Sequence, residues 1–238
     1  MSAPRAVCLV SGGMDSAVAL ACAVADGREA YALSVDYGQR HAVELRAAER
    51  VARALGAHEH RTVRMDLSAL GGSALTDAID VPKDRLDPQA RNTRAERGAG
   101  VPVTYVPARN ALFLTAALGW AEILGARELY CGVNAVDYSG YPDCRPEFLR
   151  AFEELAAVAT AAGAERGVRF EVRAPLAELS KAQIVQRAEE LGVDLGLTHT
   201  CYDPGERALA CGRCDACLLR LRGFEQAGRV DPIPYATS

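Results

Sequence analysis

Apolar and amphipathic segments alternate along the first third of the chain. Residues 6–10 and 29–35 are apolar runs of strand length, and residues 58–66 alternate weakly between apolar and polar side chains. Between these runs, residues 17–24 are rich in Ala, Val and Leu, and residues 41–55 carry apolar side chains at helical spacing. These repeated strand–helix steps predict a parallel sheet with helices on both faces.

The rest of the chain continues this pattern after one long interruption. Helices are predicted at residues 111–124, 146–162 and 181–191, and strands at residues 128–133 and 168–172. Asn110 is the expected N-cap of the first of these helices. Ser180-Lys181-Ala182-Gln183 has the form of a capping box that opens the last one. The predicted fold class is therefore α/β, with a doubly wound, mostly parallel sheet.

The interruption covers residues 67–100. It holds Gly71-Gly72, Pro82 and Pro88, followed by a stretch of mixed charge. A structureless connection of this length is unusual inside a compact domain, and functional lids are one of its common explanations. The sequence therefore predicts a mobile lid or partly disordered loop here, and a passive insertion is the alternative.

The most informative stretch is Ser11-Gly12-Gly13-Met14-Asp15-Ser16, between the first strand and the first helix. A glycine turn that enters a helix presents backbone N–H groups to an anion, and Ser11 and Ser16 add hydroxyl donors. The predicted ligand is a phosphate or pyrophosphate, although the GxxxxGK[ST] pattern is absent. Asp15 beside an anion calls for a bridging Mg²⁺. A plain turn with Asp15 as a helix cap is the alternative.

Three further polar residues are expected near this loop. Asp36 ends the second strand, and carboxyl ends of parallel strands share one edge of a sheet, where ligands bind. Arg109 precedes a helix and is able to meet an anion with two hydrogen bonds. Lys181 lies in the first turn of a helix, against the macrodipole, which indicates a phosphate contact. For both cations, a solvated surface side chain is the alternative.

Residues 134–145 form a polar loop after the fourth strand. It contains two carboxylates, two tyrosines and an Asn, among them Asp137, Tyr141 and Asp143. Tyrosine rings stack on flat ligands, and carboxylates accept hydrogen bonds from ring N–H groups and exocyclic amines. The loop suits a heteroaromatic substrate, and a passive polar loop is the alternative.

Composition narrows the class of protein. The 238 residues carry a formal net charge of −4, which argues against a main role on nucleic acid. The sequence begins without a signal-peptide pattern and has no apolar run of membrane-spanning length. With eight Cys and no export signal, a cytoplasmic location with reduced thiols is expected, with no membrane association.

Four of the cysteines, Cys201, Cys211, Cys214 and Cys217, form the pattern C-x₉-C-x₂-C-x₂-C. Four thiolates at this density suit tetrahedral Zn²⁺ in a closed, structural site, with Gly212 permitting the tight turn. An iron–sulfur cluster or a redox pair is the alternative. His199 is expected beside this site rather than in it, and Cys8, Cys22 and Cys131 are expected in the core. Cys144 lies in the polar loop with no His near it in sequence, and no catalytic role is expected for it.

The SGGMDS stretch at Ser11, placed after one N-terminal strand, resembles the PP-loop of the ATP pyrophosphatase superfamily. That resemblance implies an adenine-nucleotide α-hydrolase-like fold and the splitting of ATP into AMP and pyrophosphate. It also implies a set of nucleotide-binding residues on the loop and at the next strand end: Val10, Ser11, Gly12, Gly13, Met14, Asp15, Ser16, Ala17 and Asp36. Of these, Asp15 and Ser16 are expected in catalysis together with Arg109 and Lys181.

More of the chain resembles one family of that superfamily, the 7-cyano-7-deazaguanine synthases. The matching stretches are SVDYGQRHAVEL from Ser34, VPARN ending at Asn110, GVNAVDYSGYPDC from Gly132, and the four cysteines. The segment from Asp137 to Cys144 is the most specific of them. The departure is the Arg-rich stretch 86–100, which is longer than usual and concerns the lid rather than the chemistry.

This resemblance implies the conversion of 7-carboxy-7-deazaguanine, ammonia and ATP into 7-cyano-7-deazaguanine (preQ0), through adenylated acid and amide intermediates. It implies Asn110, Asp137, Tyr141 and Asp143 as substrate-binding residues, structural Zn²⁺ on the four cysteines, Mg²⁺ with ATP, and a homodimer. Residues 1–195 would form the ATP-binding α/β domain and residues 196–238 a small helical zinc-binding segment.

Two other classes of function stay open. A PP-loop enzyme that modifies tRNA, or an adenylating amidase acting on another carboxylate such as a protein terminus, shares the loop. A tRNA-modifying enzyme is expected to carry a catalytic Cys pair or a basic RNA-binding appendage, which the acidic balance disfavours. A zinc-ribbon binding module without enzymatic activity would need neither SGGMDS nor a long α/β body.

Overall fold

The residues that the structure describes form one five-stranded sheet in which every pair of neighbouring strands is parallel. The computed structural model describes residues 3–41, 43–86, 101–134 and 141–236. Its strands are β1 (Arg5–Leu9), β2 (Glu29–Asp36), β3 (Glu59–Arg64), β4 (Glu128–Tyr130) and β5 (Glu171–Arg173). Their order is β3-β2-β1-β4-β5, so the chain reverses its direction of winding at β1. Ligands bind at such a switch point in open α/β sheets.

Seven α-helices surround the sheet in the described residues. They are α1 (Met14–Ala25), α2 (Val43–Ala54), α3 (Arg109–Leu124), α4 (Pro146–Ala159), α5 (Ala161–Arg166), α6 (Lys181–Glu190) and α7 (Asp215–Gln226). None of the described helices combines the length and the apolar character needed to cross a bilayer.

The central strands bury side chains on both faces, as their continuous apolar sequence requires. Val7 and Leu33 pack with α3 and α4 on one face. Ala6, Cys8 and Ala32 pack with α1 and α2 on the other. This alternation confirms the predicted doubly wound α/β sheet.

Two local predictions were wrong. Residues 146–162 do not form one helix, because the Thr160 hydroxyl accepts a hydrogen bond from Gly163 N (3.0 Å) and starts α5. Asn110 does not cap α3, since the N-cap is Ala108, in the left-handed conformation with φ of 56°. Asn110 lies inside the first turn instead.

A third core cluster joins α1 to α6 and α7, and a fourth surrounds the four cysteines. The described part of the predicted lid packs on two of the apolar clusters. Ala74 and Val81 belong to the cluster around the cysteines, and Leu67 and Leu75 belong to another cluster that includes Val106. Residues 67–86 therefore belong to the folded body, and residues 87–100 lie outside the described residues. The division at residue 195 stays a prediction.

Candidate active site

The SGGMDS loop lies at the carboxyl end of β1, where the winding reverses. The Ser16 hydroxyl accepts a hydrogen bond from Ser11 N (3.2 Å) and donates one to Gly13 O (3.0 Å), which holds the loop in shape. Gly13 is the N-cap of α1 and provides no side-chain cap. The first N–H groups of α1 therefore keep their capacity to bind an anion.

Two glycines let other elements approach this loop closely. Gly12 has φ of +85°, and a Cβ there would lie 2.4 Å from Glu44 O, at the start of α2. Gly132 follows β4, and its Cβ would lie 2.7 Å from Ser16 N. Larger residues at either position would push the loop away from its neighbours.

Lys181 reaches the loop from the first turn of α6. Its Nζ lies 2.6 Å from Asp15 Oδ2, and both side chains are partly buried. The other oxygen, Asp15 Oδ1, is buried and accepts no hydrogen bond from the described residues. The Asp15 carboxylate therefore joins the loop to α6 and keeps acceptor capacity for a cation.

A cavity of about 280 Å³ opens over this edge of the sheet. Ser11, Gly13, Asp15 and Ser16 line it on one side. The predicted residues Val10, Met14, Arg109, Asn110, Tyr141 and Lys181 also line it. The fold thus brings these predicted residues together around one space from four separate parts of the sequence.

Arg109 lies against aromatic rings in the cavity wall. Its Cζ is 5.6 Å from the ring centroid of Tyr37, 5.8 Å from that of Phe113 and 5.9 Å from that of Tyr141. Burial by itself lowers the pKa of Arg109, but Tyr37, Tyr141, Tyr202 and Glu44 together raise it. The guanidinium is a fixed positive charge suited to a carboxylate or a phosphate.

The residues predicted for the substrate pocket divide into two groups. Tyr141 lines the cavity, and its hydroxyl lies 2.9 Å from Thr104 Oγ1, which fixes the ring. Asp143 is buried and turned to the start of α3, where Oδ2 accepts a hydrogen bond from Asn110 N (2.9 Å). Asn110 Nδ2 donates to Asp143 O (3.2 Å) and Cys144 Sγ (3.1 Å). The Asp143 carboxylate thus satisfies a first-turn N–H of α3, a role that was predicted for the side chain of Asn110.

The sulfur atoms of Cys201, Cys211, Cys214 and Cys217 all lie within 4.8 Å of one another. Backbone N–H groups point at them: Cys211 N lies 3.2 Å from Cys201 Sγ, and Cys214 N lies 3.3 Å from Cys211 Sγ. Gly212 has φ of +70°, which makes the tight turn between them. A closed set of four sulfurs with N–H donors fits a tetrahedral thiolate-bound metal. The predicted metal-binding geometry is thus present.

Comparison with known proteins agrees with this architecture. The family model described as "Queuosine biosynthesis protein QueC" matches residues 5–228. The chain belongs to the QueC family. A 7-cyano-7-deazaguanine synthase of Myxococcus xanthus is 58% identical, covering 98% of each chain. A protein of the same name from Geotalea daltonii is 55% identical and covers 98% of this chain and 96% of its own. Another from Pseudomonas aeruginosa is 56% identical and covers 99% of this chain and 100% of its own.

Other predicted site residues of this QueC chain lie outside the cavity wall or outside the described residues. Asp36 is not among the lining residues, and its Oδ1 accepts a hydrogen bond from Gly38 N (3.3 Å). Gly12 and Ala17 do not line the cavity, because Gly12 packs against α2 and Ala17 lies in the core. Asp137 lies outside the described residues.

Tyr37, Glu44, His199 and Tyr202 also line the cavity of this QueC chain. No specific role was predicted for Tyr37, Glu44 or Tyr202, and His199 was expected only beside the four cysteines. His199 is not one of the four clustered sulfur ligands, and its N–H donates to Gly12 O (2.8 Å), which ties the segment before Cys201 to the loop. The sequence offered one sign that Tyr37 and Glu44 lie near the site. Both follow β2, whose carboxyl end lies at the same edge of the sheet as that of β1.

Proposed function

We propose that the chain is an ATP-dependent ligase that converts 7-carboxy-7-deazaguanine and ammonia into 7-cyano-7-deazaguanine, releasing AMP and pyrophosphate. The observation that carries this proposal is the cavity that joins the SGGMDS loop to the cations Arg109 and Lys181. Relatives 54–58% identical over nearly the whole chain bear the name of this synthase. An adenylating enzyme acting on another carboxylate remains the second candidate, because the loop alone does not select the acid.

The roles follow from the chemistry of adenylation. A carboxylate oxygen is a poor leaving group, so the acid must first attack the α-phosphorus of ATP and release pyrophosphate. Ser11, Gly12, Gly13 and Ser16, with the backbone of Val10, Met14 and Ala17, would hold pyrophosphate at the start of α1. Arg109 and Lys181 would neutralise the charge that develops on the phosphates. Asp36 would lie near the nucleotide.

Two rounds of this activation account for a nitrile. AMP leaves the first adenylate when ammonia attacks and gives the amide. Adenylation of the amide oxygen then lets AMP leave as the C≡N bond forms. Orientation of the reactants and exclusion of water from the adenylate supply the remaining catalysis, since water would hydrolyse it.

For the deazapurine, we propose contacts from Asn110, Asp137, Tyr141 and Asp143. Tyr141 is the best supported, because its ring lies on the cavity wall beside Arg109. Asp143 would also hold Asn110 in position, since its Oδ2 accepts a hydrogen bond from Asn110 N.

Two metals belong to the proposal. Zn²⁺ would be held by Cys201, Cys211, Cys214 and Cys217 and would stabilise the fold. Mg²⁺ would arrive with ATP and meet Asp15, whose buried Oδ1 has no hydrogen-bond partner among the described residues. When bound, it would neutralise the charge of the phosphates. A homodimer and free ammonia as the nitrogen source remain predictions, and so does the cytoplasmic location expected from the cysteine content.

Product analysis by mass spectrometry tests this function. The purified protein is mixed with 7-carboxy-7-deazaguanine, ATP, Mg²⁺ and ammonium, beside an Asp15→Ala variant. We expect the nitrile, AMP and pyrophosphate from the wild type, and a strong loss in the variant. If the wild type consumes no ATP with this acid, the substrate assignment fails, and tRNA or a protein terminus is tried next.

A further inference from the structure

Glu44 is a carboxylate on the cavity wall to which the chemistry above gives no role. It lies in the first turn of α2 and is partly buried. Its carbonyl oxygen packs so close to Gly12 that a Cβ there would lie 2.4 Å away. Glu44 is therefore anchored directly beside the loop proposed to hold ATP.

The surroundings of Glu44 leave its carboxyl group available to a ligand. Within the described part of the chain, no hydrogen bond or ion pair joins its side chain to another residue. Arg109 of α3 and Tyr37 after β2 interact with it electrostatically. The other ionisable residues that line the same cavity are Asp15, Cys131, Tyr141, Cys144, Lys181, His199, Tyr202 and Arg220.

The ionisation of Glu44 suits proton transfer near neutral pH. Burial raises its pKa to about 7, and the charge of Arg109 opposes that rise. A group with a pKa near the working pH is present as a base in a large fraction of molecules and still binds a proton firmly.

We propose that Glu44 is the general base that accepts a proton from the attacking nitrogen during amide formation. This inference rests on the proposed function, because it concerns the same adenylate. Glu44 lines the same cavity as the SGGMDS loop, the cationic Arg109 and the aromatic wall, and its backbone carbonyl packs against Gly12 of that loop.

The step balances with the groups already named. The nitrogen lone pair of ammonia forms the C–N bond, and the C–O bond to AMP breaks, so that AMP leaves with the electron pair. One N–H proton passes to a carboxylate oxygen of Glu44, which leaves the neutral amide. The proton then returns to solvent before the next round, in which the amide nitrogen must also lose its protons.

The test separates nitrogen transfer from adenylation in Glu44→Gln. This variant keeps the size and polarity of the side chain but accepts no proton. ATP–pyrophosphate exchange with the deazaguanine acid, without ammonia, measures adenylation, and amide appearance at constant free ammonia measures transfer. Glu49→Gln on the exposed face of α2 is the matched control.

We expect exchange in Glu44→Gln to stay close to wild type and amide formation to fall by about 10²-fold or more. The wild-type rate of amide formation should rise with pH through about 7, and the variant should lack this rise. Glu44→Asp, which keeps a carboxylate, should retain part of the rate.

The possible outcomes separate a failure of the Glu44 proposal from a failure of the proposed function on which it rests. No exchange in the wild type would reject the proposed function. Unchanged amide formation in Glu44→Gln would reject Glu44 as the base. Loss of exchange together with transfer would also reject it and would assign Glu44 to ATP binding. Since burial of the ionised carboxylate costs stability above its unfolded pKa, the Gln variant should unfold at the wild-type temperature or above it at pH 8.

Discussion

Asp15 and Lys181 form an ion pair next to the loop proposed to bind the phosphates of ATP. The 2.6 Å contact joins the first turns of two helices, α1 and α6. A cation in the first turn of a helix is unfavourable against the macrodipole, so Lys181 needs an anion to compensate. Asp15 supplies one negative charge now, and the phosphates of ATP would supply more. We therefore expect Lys181 to share its three donors between Asp15 and phosphate oxygens.

A double-variant cycle tests this expectation. Lys181→Met should lower kcat/KM of ATP–pyrophosphate exchange by about 10- to 100-fold, because a hydrogen bond to a charged group contributes about 1.5–3 kcal/mol. Asp15→Asn combined with Lys181→Met should be no better than Lys181→Met alone. Full rescue in the double variant would mean that Lys181 serves only to neutralise Asp15. Arg53→Met, which breaks an exposed pair with Glu49, is the control.

At the scale of elements, Lys181 is held in place by the packing of α7 on α6. Gly223 of α7 lies against Lys181, and a Cβ there would be 2.7 Å from Lys181 Cβ and 3.1 Å from its carbonyl carbon. The absence of a side chain at this crossing lets the last helix approach the start of α6. The position of the cation therefore depends on a glycine about forty residues further along the chain.

Gly223→Ala should lower the free energy of unfolding by about 1–3 kcal/mol, since overpacking forces the helices apart. It should also weaken exchange by displacing Lys181 from Asp15. Gly119→Ala in α3 is the matched control: this glycine is exposed and has nothing within 4 Å of its Cβ position. Gly119→Ala should raise the free energy of unfolding by about 0.5–1 kcal/mol, because Ala has a higher helix propensity than Gly. Urea unfolding measures the free energy of unfolding of both variants. Equal changes in Gly223→Ala and Gly119→Ala would contradict the packing argument.

The elements show which parts of the fold local sequence determines. The strands, the capping box at Ser180 and the spacing of the four cysteines depend on short-range patterns, and the structure contains each of them. The cap of α3 does not depend on such a pattern. Asp143 reaches the start of that helix from 33 residues away, so a rule based on the residue before the helix chose Asn110 wrongly.

The sequence predicted those parts of the candidate site whose positions follow from the arrangement of the parallel strands. Parallel strands put the SGGMDS loop and the segment after β4 at one edge, and both line the cavity. Glu44 was missed because a first-turn Glu is usually solvated at the surface. Only the close packing of α2 on Gly12, made possible by a missing Cβ, brings it inside.

At the scale of the whole molecule, the four-cysteine cluster connects two segments that are distant in sequence. On one side, the segment before Cys201 bonds to the loop through His199 N and Gly12 O. On the other, residues 83–86 lie along the turn between Cys211 and Asp215. Lys83 forms an antiparallel bridge with Cys214, and Asp84 N donates to Arg213 O (2.8 Å). A metal on the cysteines would therefore fix both segments at once.

Ion pairs strengthen this second attachment. Lys83 Nζ lies 2.7 Å from Asp203 Oδ2, and Arg85 NH2 lies 2.6 Å from Asp215 Oδ2. Each anion comes from the same stretch of chain as the cysteines. If a metal orders that stretch, removal of the metal should release residues 83–86 from it.

The chain contains two lysines, Lys83 and Lys181, so a protease that cuts only after Lys reports on two places. Chelation of the metal should accelerate cleavage after Lys83 far more than after Lys181, which the start of α6 keeps partly buried. Electrophoresis and mass spectrometry identify the fragments, and Lys83→Arg should abolish the first cut while keeping the cation. Added Zn²⁺ should restore resistance. If chelation speeds both cuts equally, the metal stabilises the whole fold without a particular effect on this segment, and if it speeds neither, the cysteines hold their arrangement without a metal.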